Sequence, residues 1–64
     1  MAITLKAARV NAGLTQKEAA EKLQINKNTL ANYENYRSTP SIEMAKNIAV
    51  LYGCDVNHLI FFKQ

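Results

Sequence analysis

Residues 13–35 read GLTQKEAAEKLQINKNTLANYEN and contain two short amphipathic segments with a break between them. Within each segment apolar residues recur three and four positions apart, which is the spacing of one face of an α-helix. The pattern stops near residues 24–26 and resumes on a different phase. The sequence therefore predicts one helix over about 15–23 and another over about 27–35, joined by a tight turn.

Residue types that favour helix ends support both helices. Thr15 and Glu18 have the spacing of a capping box, in which each side chain bonds the backbone N–H of the other residue. Asn26 is a favourable N-cap residue for the second of the two helices. Gly13 stands where a left-handed residue would end a preceding helix over about 5–12.

The C-terminal part of the chain continues the helical pattern. Ser41 is a suitable cap for a fourth helix over about 42–52, and Gly53 would end that helix. Asp55 would cap a short fifth helix over about 56–61. No convincing two-residue alternation typical of a strand is visible. We therefore predict an all-α fold, a compact five-helix bundle, with residues 1–64 forming a single domain.

The composition favours a small globular protein. The chain has 64 residues, of which 48% are hydrophobic, and this share is typical of folded rather than disordered proteins. Its net charge of +3 is compatible with a polyanionic partner but indicates one only weakly. No segment approaches the ~20 apolar residues of a membrane span, and no signal peptide is visible. With a single cysteine, which fits a reducing compartment, the sequence predicts a cytoplasmic protein without a membrane partner.

Catalytic and metal-binding groups are scarce. Cys54, Asp55 and His58 lie close in sequence, and a cysteine and a histidine four positions apart could share a metal ion. A small apolar cysteine at a helix junction and an exposed histidine explain the same residues more simply. No supported nucleophile–base set and no phosphate-binding glycine loop is present. We therefore expect no enzymatic activity, no metal, no cofactor and no small-molecule ligand.

The residues around the helix pair resemble the phage-repressor and Cro-type family of helix-turn-helix DNA-binding domains, often called XRE-like or lambda repressor-like. The resemblance extends over about residues 5–60. Its most specific parts are residues 13–16 (GLTQ), 33–35 (YEN) and 40–41 (PS). It implies that the third helix lies in the major groove of DNA and that the second lies across the groove.

This resemblance and the chemistry of the groove suggest base-contacting residues. In such motifs the N-terminal residues of the recognition helix contact bases. Amide side chains can pair with adenine, and lysine can donate to guanine. An ordinary solvated helix face would carry the same polar residues, which is the alternative explanation. The base-contacting candidates are Asn26, Lys27, Asn28, Thr29 and Asn32.

The resemblance also separates backbone-contacting residues from structural ones. The family places a glutamine on the DNA backbone in the first turn of the second helix, where free amides also attract an anion. Arg9 and Glu34 match two positions that form a largely buried ion pair in the family, so they are assigned to the fold. The phosphate-contacting candidates are Thr15, Gln16, Asn35 and Arg37.

Two residues stand where the family often has glycine. Gln24 lies in the turn between the second and third helices, and Tyr36 follows the third helix. A left-handed Gln24 would cost of order 1–2 kcal/mol relative to glycine, unless the turn adopts another local geometry. Tyr36 would either stack on a deoxyribose or pack on the loop.

The end of the chain is its most apolar stretch. One explanation is that the apolar residues over 56–62 all close the core. Because they cannot all face inward from one short helix, the other is that some form a self-complementary surface. In related phage proteins the last helix region often supplies a dimer contact. We therefore predict a homodimer formed through Val56, Leu59, Phe61 and Phe62.

Taken together, the sequence predicts a sequence-specific transcriptional regulator that binds double-stranded DNA. The resemblance favours a small phage- or mobile-element-type repressor in a bacterial or phage-infected cell, although an activator is also compatible. A dimer would bind a near-palindromic operator with half-sites ~34 Å apart. The alternative is an antitoxin-like or anti-repressor protein-interaction module that keeps the fold without the DNA-binding role.

Overall fold

The computed structural model describes residues 2–63, which form four α-helices, one 3-10 turn and a pair of two-residue strands. The predicted bounds of the four helices agree with the structure to within one residue at each end. In chain order the elements are β1 (Ile3–Thr4), α1 (Leu5–Asn11), α2 (Gln16–Leu23), α3 (Lys27–Glu34), α4 (Ile42–Tyr52), the 3-10 turn (Val56–His58) and β2 (Leu59–Ile60).

Side-chain caps begin three of the four helices. The predicted capping box is confirmed: Glu18 N donates to Thr15 Oγ1 at 3.1 Å, and Thr15 N donates to Glu18 Oε1 at 2.9 Å. The predicted cap at Ser41 is also confirmed, and Thr4 caps α1 in the same manner. Asn26 occupies the N-cap position of α3 but makes no capping hydrogen bond through its side chain to any described residue.

All four helices end in a left-handed residue that allows two further backbone hydrogen bonds. In each case the N–H of the following residue bonds the carbonyl five positions earlier, as in the Schellman motif. Of the two geometries considered for the turn after α2, the left-handed one is present. The left-handed residues and their φ angles are Gly13 (76°), Gln24 (59°), Tyr36 (61°) and Gly53 (68°).

The core lies where the four helices meet. Leu5 of α1, Leu30 of α3 and Ile48 of α4 are its largest fully buried side chains. The buried alanines Ala19 and Ala20 allow α2 to approach closely, and α2 packs most extensively on α3. This packing fixes the helix pair and turns one side of α3 towards the core.

The predicted fifth helix over about 56–61 is wrong, and so is the expectation of helices throughout. Helical structure there is limited to the 3-10 turn, which Asp55 begins by accepting from Asn57 N at 2.8 Å. Leu59 then becomes extended, and β2 pairs in parallel with β1, with Ile3 opposite Leu59 and Thr4 opposite Ile60. Consecutive aliphatic and aromatic residues suit this extended segment better than a helix.

Candidate nucleic-acid interface

The turn between α2 and α3 sets the orientation of α3. Ile25 N donates to Ala20 O at 3.0 Å and Gln24 N donates to Glu21 O at 3.1 Å, so the backbone of the turn is tied to the end of α2. Leu30 is fully buried on the inner side of α3. Lys27 and Asn28, at the start of the helix, are left exposed to solvent.

The five base-contacting candidates lie on the first turns of α3. Asn26, Lys27 and Asn28 are exposed, whereas Thr29 and Asn32 are half-buried. Asn28 and Asn32 are four residues apart, so they are neighbours along one helix face. Because the side chain of Asn26 does not cap the helix, its amide is available for another partner.

The groups at the start of α2 that could contact phosphate differ in whether they already make hydrogen bonds within the protein. The backbone N–H of Thr15, followed by its hydroxyl, holds the pKa of Glu18 below its ordinary value of 4.5. Thr15 is therefore engaged through both groups in the capping box. The backbone N–H groups of Gln16 and Lys17, which have no acceptor within a helix, remain as donors at this end.

Arg9 and Glu34 form a buried ion pair that connects α1 to the end of α3. Arg9 Nε lies 2.7 Å from Glu34 Oε2, and only 10% of the arginine side chain and 4% of the carboxylate side chain are exposed. Arg9 Nη2 donates to Glu34 Oε1 at 3.4 Å, and Arg9 Nη1 donates to the carbonyl of Leu14 at 2.9 Å. The pair therefore also holds the loop that leads into α2.

Gln16 belongs to the same network. Its Nε2 donates to Glu34 Oε1 at 3.0 Å, so one side chain of α3 accepts from both α1 and α2. Gln16 and Glu34 fall in separate groups of predicted residues, backbone-contacting and structural, and this bond between them was not predicted. No pattern in one sequence indicates a contact between two polar residues that are 18 positions apart.

Tyr52 of α4 lies close to this network. Burial raises the pKa of Tyr52 to about 12, and the negative charge of Glu34 contributes further. The hydroxyl is fully buried and has no hydrogen-bond partner among residues 2–63.

The segment after α3 carries the remaining backbone-contacting candidates. Arg37 N donates to Asn32 O at 2.9 Å, which folds the chain back across the end of α3. The side chains of Asn35 and Arg37 are exposed, whereas Tyr36 between them is half-buried. An arginine and an amide thus lie next to the C-terminal end of α3.

The structure divides the predicted dimer residues between core and surface. Leu59 is only 7% exposed and belongs to the core, because pairing of β2 with β1 turns it inward, so it offers little surface for the predicted dimer contact. Val56 and Phe61 pack partly against the core. Phe62 is 67% exposed and is therefore the one of these four residues with the most surface to offer a partner.

Groups suited to other chemistry are few within residues 2–63. No cluster there has three histidine, cysteine, aspartate or glutamate side chains placed to hold a metal ion. Burial, and then the charge of Asp55, raises the pKa of the Cys54 thiol, which lowers its reactivity. None of the helices in this range combines the length and apolar character required to cross a membrane.

Comparison with known proteins gave two matches. The model of a family described as helix-turn-helix matches residues 5–59. The chain is also 45% identical over 56 residues to the HTH-type transcriptional regulator ImmR of Bacillus subtilis (strain 168). That alignment covers 88% of this chain and 44% of ImmR, so the chain spans less than half the length of this relative. No solved structure gives a significant match.

Proposed function

Because the chain belongs to the XRE-type helix-turn-helix family, we propose that it is a transcriptional regulator that binds double-stranded DNA through α3. The observation that carries the proposal is the difference between the two sides of α3. Leu30 holds one side in the core, while Asn28 extends from the opposite side and Lys27 is exposed at the start of the helix. An α-helix of this kind fits the major groove, where base edges present distinct donors and acceptors.

In the proposed complex, base reading is assigned to the first turns of α3. Asn28 and Asn32 are suited to adenine, because one asparagine side chain can bond the base through both its carbonyl oxygen and its NH₂ group. Lys27 is suited to guanine. Asn26 precedes these three residues, and Thr29 lies between Asn28 and Asn32. The free side chain of Asn26 supports its inclusion, because a capping asparagine would be less available to a base.

Backbone binding is assigned to two places on either side of α3. Gln16 and the free amides of α2 supply neutral donors, with Thr15 acting through the capping box that fixes this end. Arg37 supplies a charge and Asn35 an amide beyond the end of α3. Such contacts set the register of the protein on DNA without reading its sequence.

We further propose that the protein acts as a repressor of phage or mobile-element type in the bacterial cytoplasm. Two copies, joined through the surface around Phe62, would bind a near-palindromic operator with half-sites ~34 Å apart. The exposed aromatic side chain of Phe62 supports this choice of surface. Occlusion of RNA polymerase is the simplest consequence of such binding.

Three matched variants test the proposal on a duplex recovered by selection. Asn28→Ala should weaken binding by about 1–3 kcal/mol and relax the preference at one base position. Arg37→Ala should weaken binding to all duplexes and lower the salt slope by about one. Lys46→Ala, which removes an exposed charge of α4 outside the proposed interface, is the control. Equal losses for Asn28→Ala on every sequence would refute base reading by that residue.

A further inference from the structure

We infer that Glu34 positions Gln16 for binding to the DNA backbone, so that the buried ion pair serves DNA binding as well as the fold. The inference rests on the proposed function and deepens it. Its basis is the hydrogen bond of 3.0 Å from Gln16 Nε2 to Glu34 Oε1. That bond links the first residue of α2 to the last residue of α3.

The bond selects one orientation of the Gln16 amide. A carboxylate only accepts hydrogen bonds, so it holds the NH₂ group of Gln16 and not the carbonyl oxygen. One of the two N–H bonds is directed to Glu34, and the second remains for another acceptor. Without Glu34, the amide could rotate and present its oxygen, which a phosphate cannot bond. Glu34 therefore prepares a donor before DNA arrives, which reduces the entropy lost on binding.

Arg9 makes this arrangement compatible with a polyanion. A lone carboxylate beside a phosphate site would repel DNA, but Arg9 contacts both oxygens of Glu34, at 2.7 and 3.4 Å. The pair has no net charge, and the Glu34 side chain is 4% exposed. Gln16 is therefore held by a neutralised acceptor, and the third bond of Arg9, to the Leu14 carbonyl, fixes the loop before α2.

Two variants of equal net charge distinguish a purely structural role of the ion pair from the proposed positioning of Gln16. Arg9→Met/Glu34→Met and Arg9→Met/Glu34→Gln each remove one positive and one negative charge, so counterion release on DNA is the same. They differ in whether residue 34 has an oxygen that can accept from Gln16. Replacing a buried ion pair as a unit avoids leaving one charge unpaired.

The experiment measures dissociation constants for the selected duplex and for a random-sequence duplex pool, with thermal melts of every variant. Arg9→Met/Glu34→Met should weaken binding to both duplexes about fivefold, as expected for the net loss of one hydrogen bond. Gln16→Ala should cause the same loss, and the two changes combined should cost no more than either. Arg9→Met/Glu34→Gln should recover most of the affinity.

Two results would overturn the inference while leaving DNA binding intact. One is equal affinity of the two charge-matched variants, and the other is a full additional loss when Gln16→Ala is combined with Arg9→Met/Glu34→Met. If the parent protein binds no duplex, the proposed function fails and this inference fails with it. The two failures are therefore distinguishable.

A second measurement uses the unaltered protein and applies even if a paired variant does not fold. In proton–nitrogen spectra the two side-chain NH₂ protons of Gln16 should differ in exchange rate, because one is bonded to Glu34. Addition of duplex should shift the other proton. If neither proton responds while backbone signals of α3 shift, Gln16 is not the group that Glu34 positions.

Discussion

Gln24 and Tyr36 hold the same left-handed backbone conformation on either side of α3, with φ angles of 59° and 61°. Each occupies the position that glycine occupies at the ends of α1 and α4. The Cβ atom of a residue in this conformation costs about 1–2 kcal/mol relative to glycine. A strained residue thus lies at each end of the helix that carries the proposed base contacts.

Substitution of the first of these residues should stabilise the protein. Gln24→Gly relieves the left-handed strain but adds freedom to the unfolded chain, so we expect a net gain of about 0.5–1 kcal/mol in free energy of unfolding. Glu21→Gly, inside α2, should instead lose about 1 kcal/mol. Urea denaturation measures the free energy of unfolding of both variants. A loss of stability in Gln24→Gly would contradict the claim that Gln24 is strained.

The capping box should make stability depend on pH at the acidic end. The folded pKa of Glu18 is depressed below 4.5, so its contribution is present above the unfolded pKa and is lost as pH falls through the folded pKa. Glu18→Gln should therefore have a lower Tm than the parent at pH 7. The difference should shrink below about pH 4.5. A constant difference across this range would show that the charge of Glu18 contributes nothing.

The hydroxyl of Tyr52 should cost stability, because it is buried without a partner. Tyr52→Phe is expected to raise the free energy of unfolding by about 1 kcal/mol at neutral pH. The folded pKa of about 12 exceeds the ordinary tyrosine pKa of 10.0. The free energy of unfolding is therefore unaffected by ionisation of Tyr52 below pH 10.0 and falls as pH rises from 10.0 towards 12.

Thermal melts at neutral and alkaline pH test both parts of this expectation. The parent should lose more stability than Tyr52→Phe as pH rises from 10 to 12. A clear destabilisation by Tyr52→Phe at neutral pH would instead indicate that the hydroxyl has a hydrogen-bond partner.

The exposed end of the chain should control self-association. Phe62→Glu places a charge where 67% of an aromatic side chain is exposed, and it should convert a dimer to monomer. Val50→Glu changes a residue of α4 that is 82% exposed, and it serves as the matched control. Sedimentation velocity distinguishes monomer from dimer. An equal loss of dimer in both variants would remove Phe62 from the proposed interface.

The helices could be predicted because their end signals are local. Thr15 with Glu18, Ser41 and Gly53 each act on residues within five positions, and all have the predicted effect. The pairing of β1 with β2 could not be predicted in this way. It joins residues 56 positions apart, such as Ile3 and Leu59, through strands too short to show a two-residue period.

The candidate interface was predictable to a smaller extent. Polar residues on the outer side of α3 follow from the position of Leu30, which the apolar spacing reveals. The hydrogen bond between Gln16 and Glu34 depends on how α2 and α3 meet. The burial of the Tyr52 hydroxyl depends on how α4 packs near Glu34. Neither relation leaves a periodic signal in the sequence.

The assignment of α3 as a recognition helix is best tested by selection of bound duplexes from a random DNA library, at about 0.1 M salt. We expect enrichment of a site with two related halves one helical turn apart, and loss of one base preference in Asn28→Ala. A single half-site would preserve base reading by α3 and contradict the dimer. Failure of the folded protein to enrich any sequence would contradict the assignment of α3 as a recognition helix and would favour a protein partner.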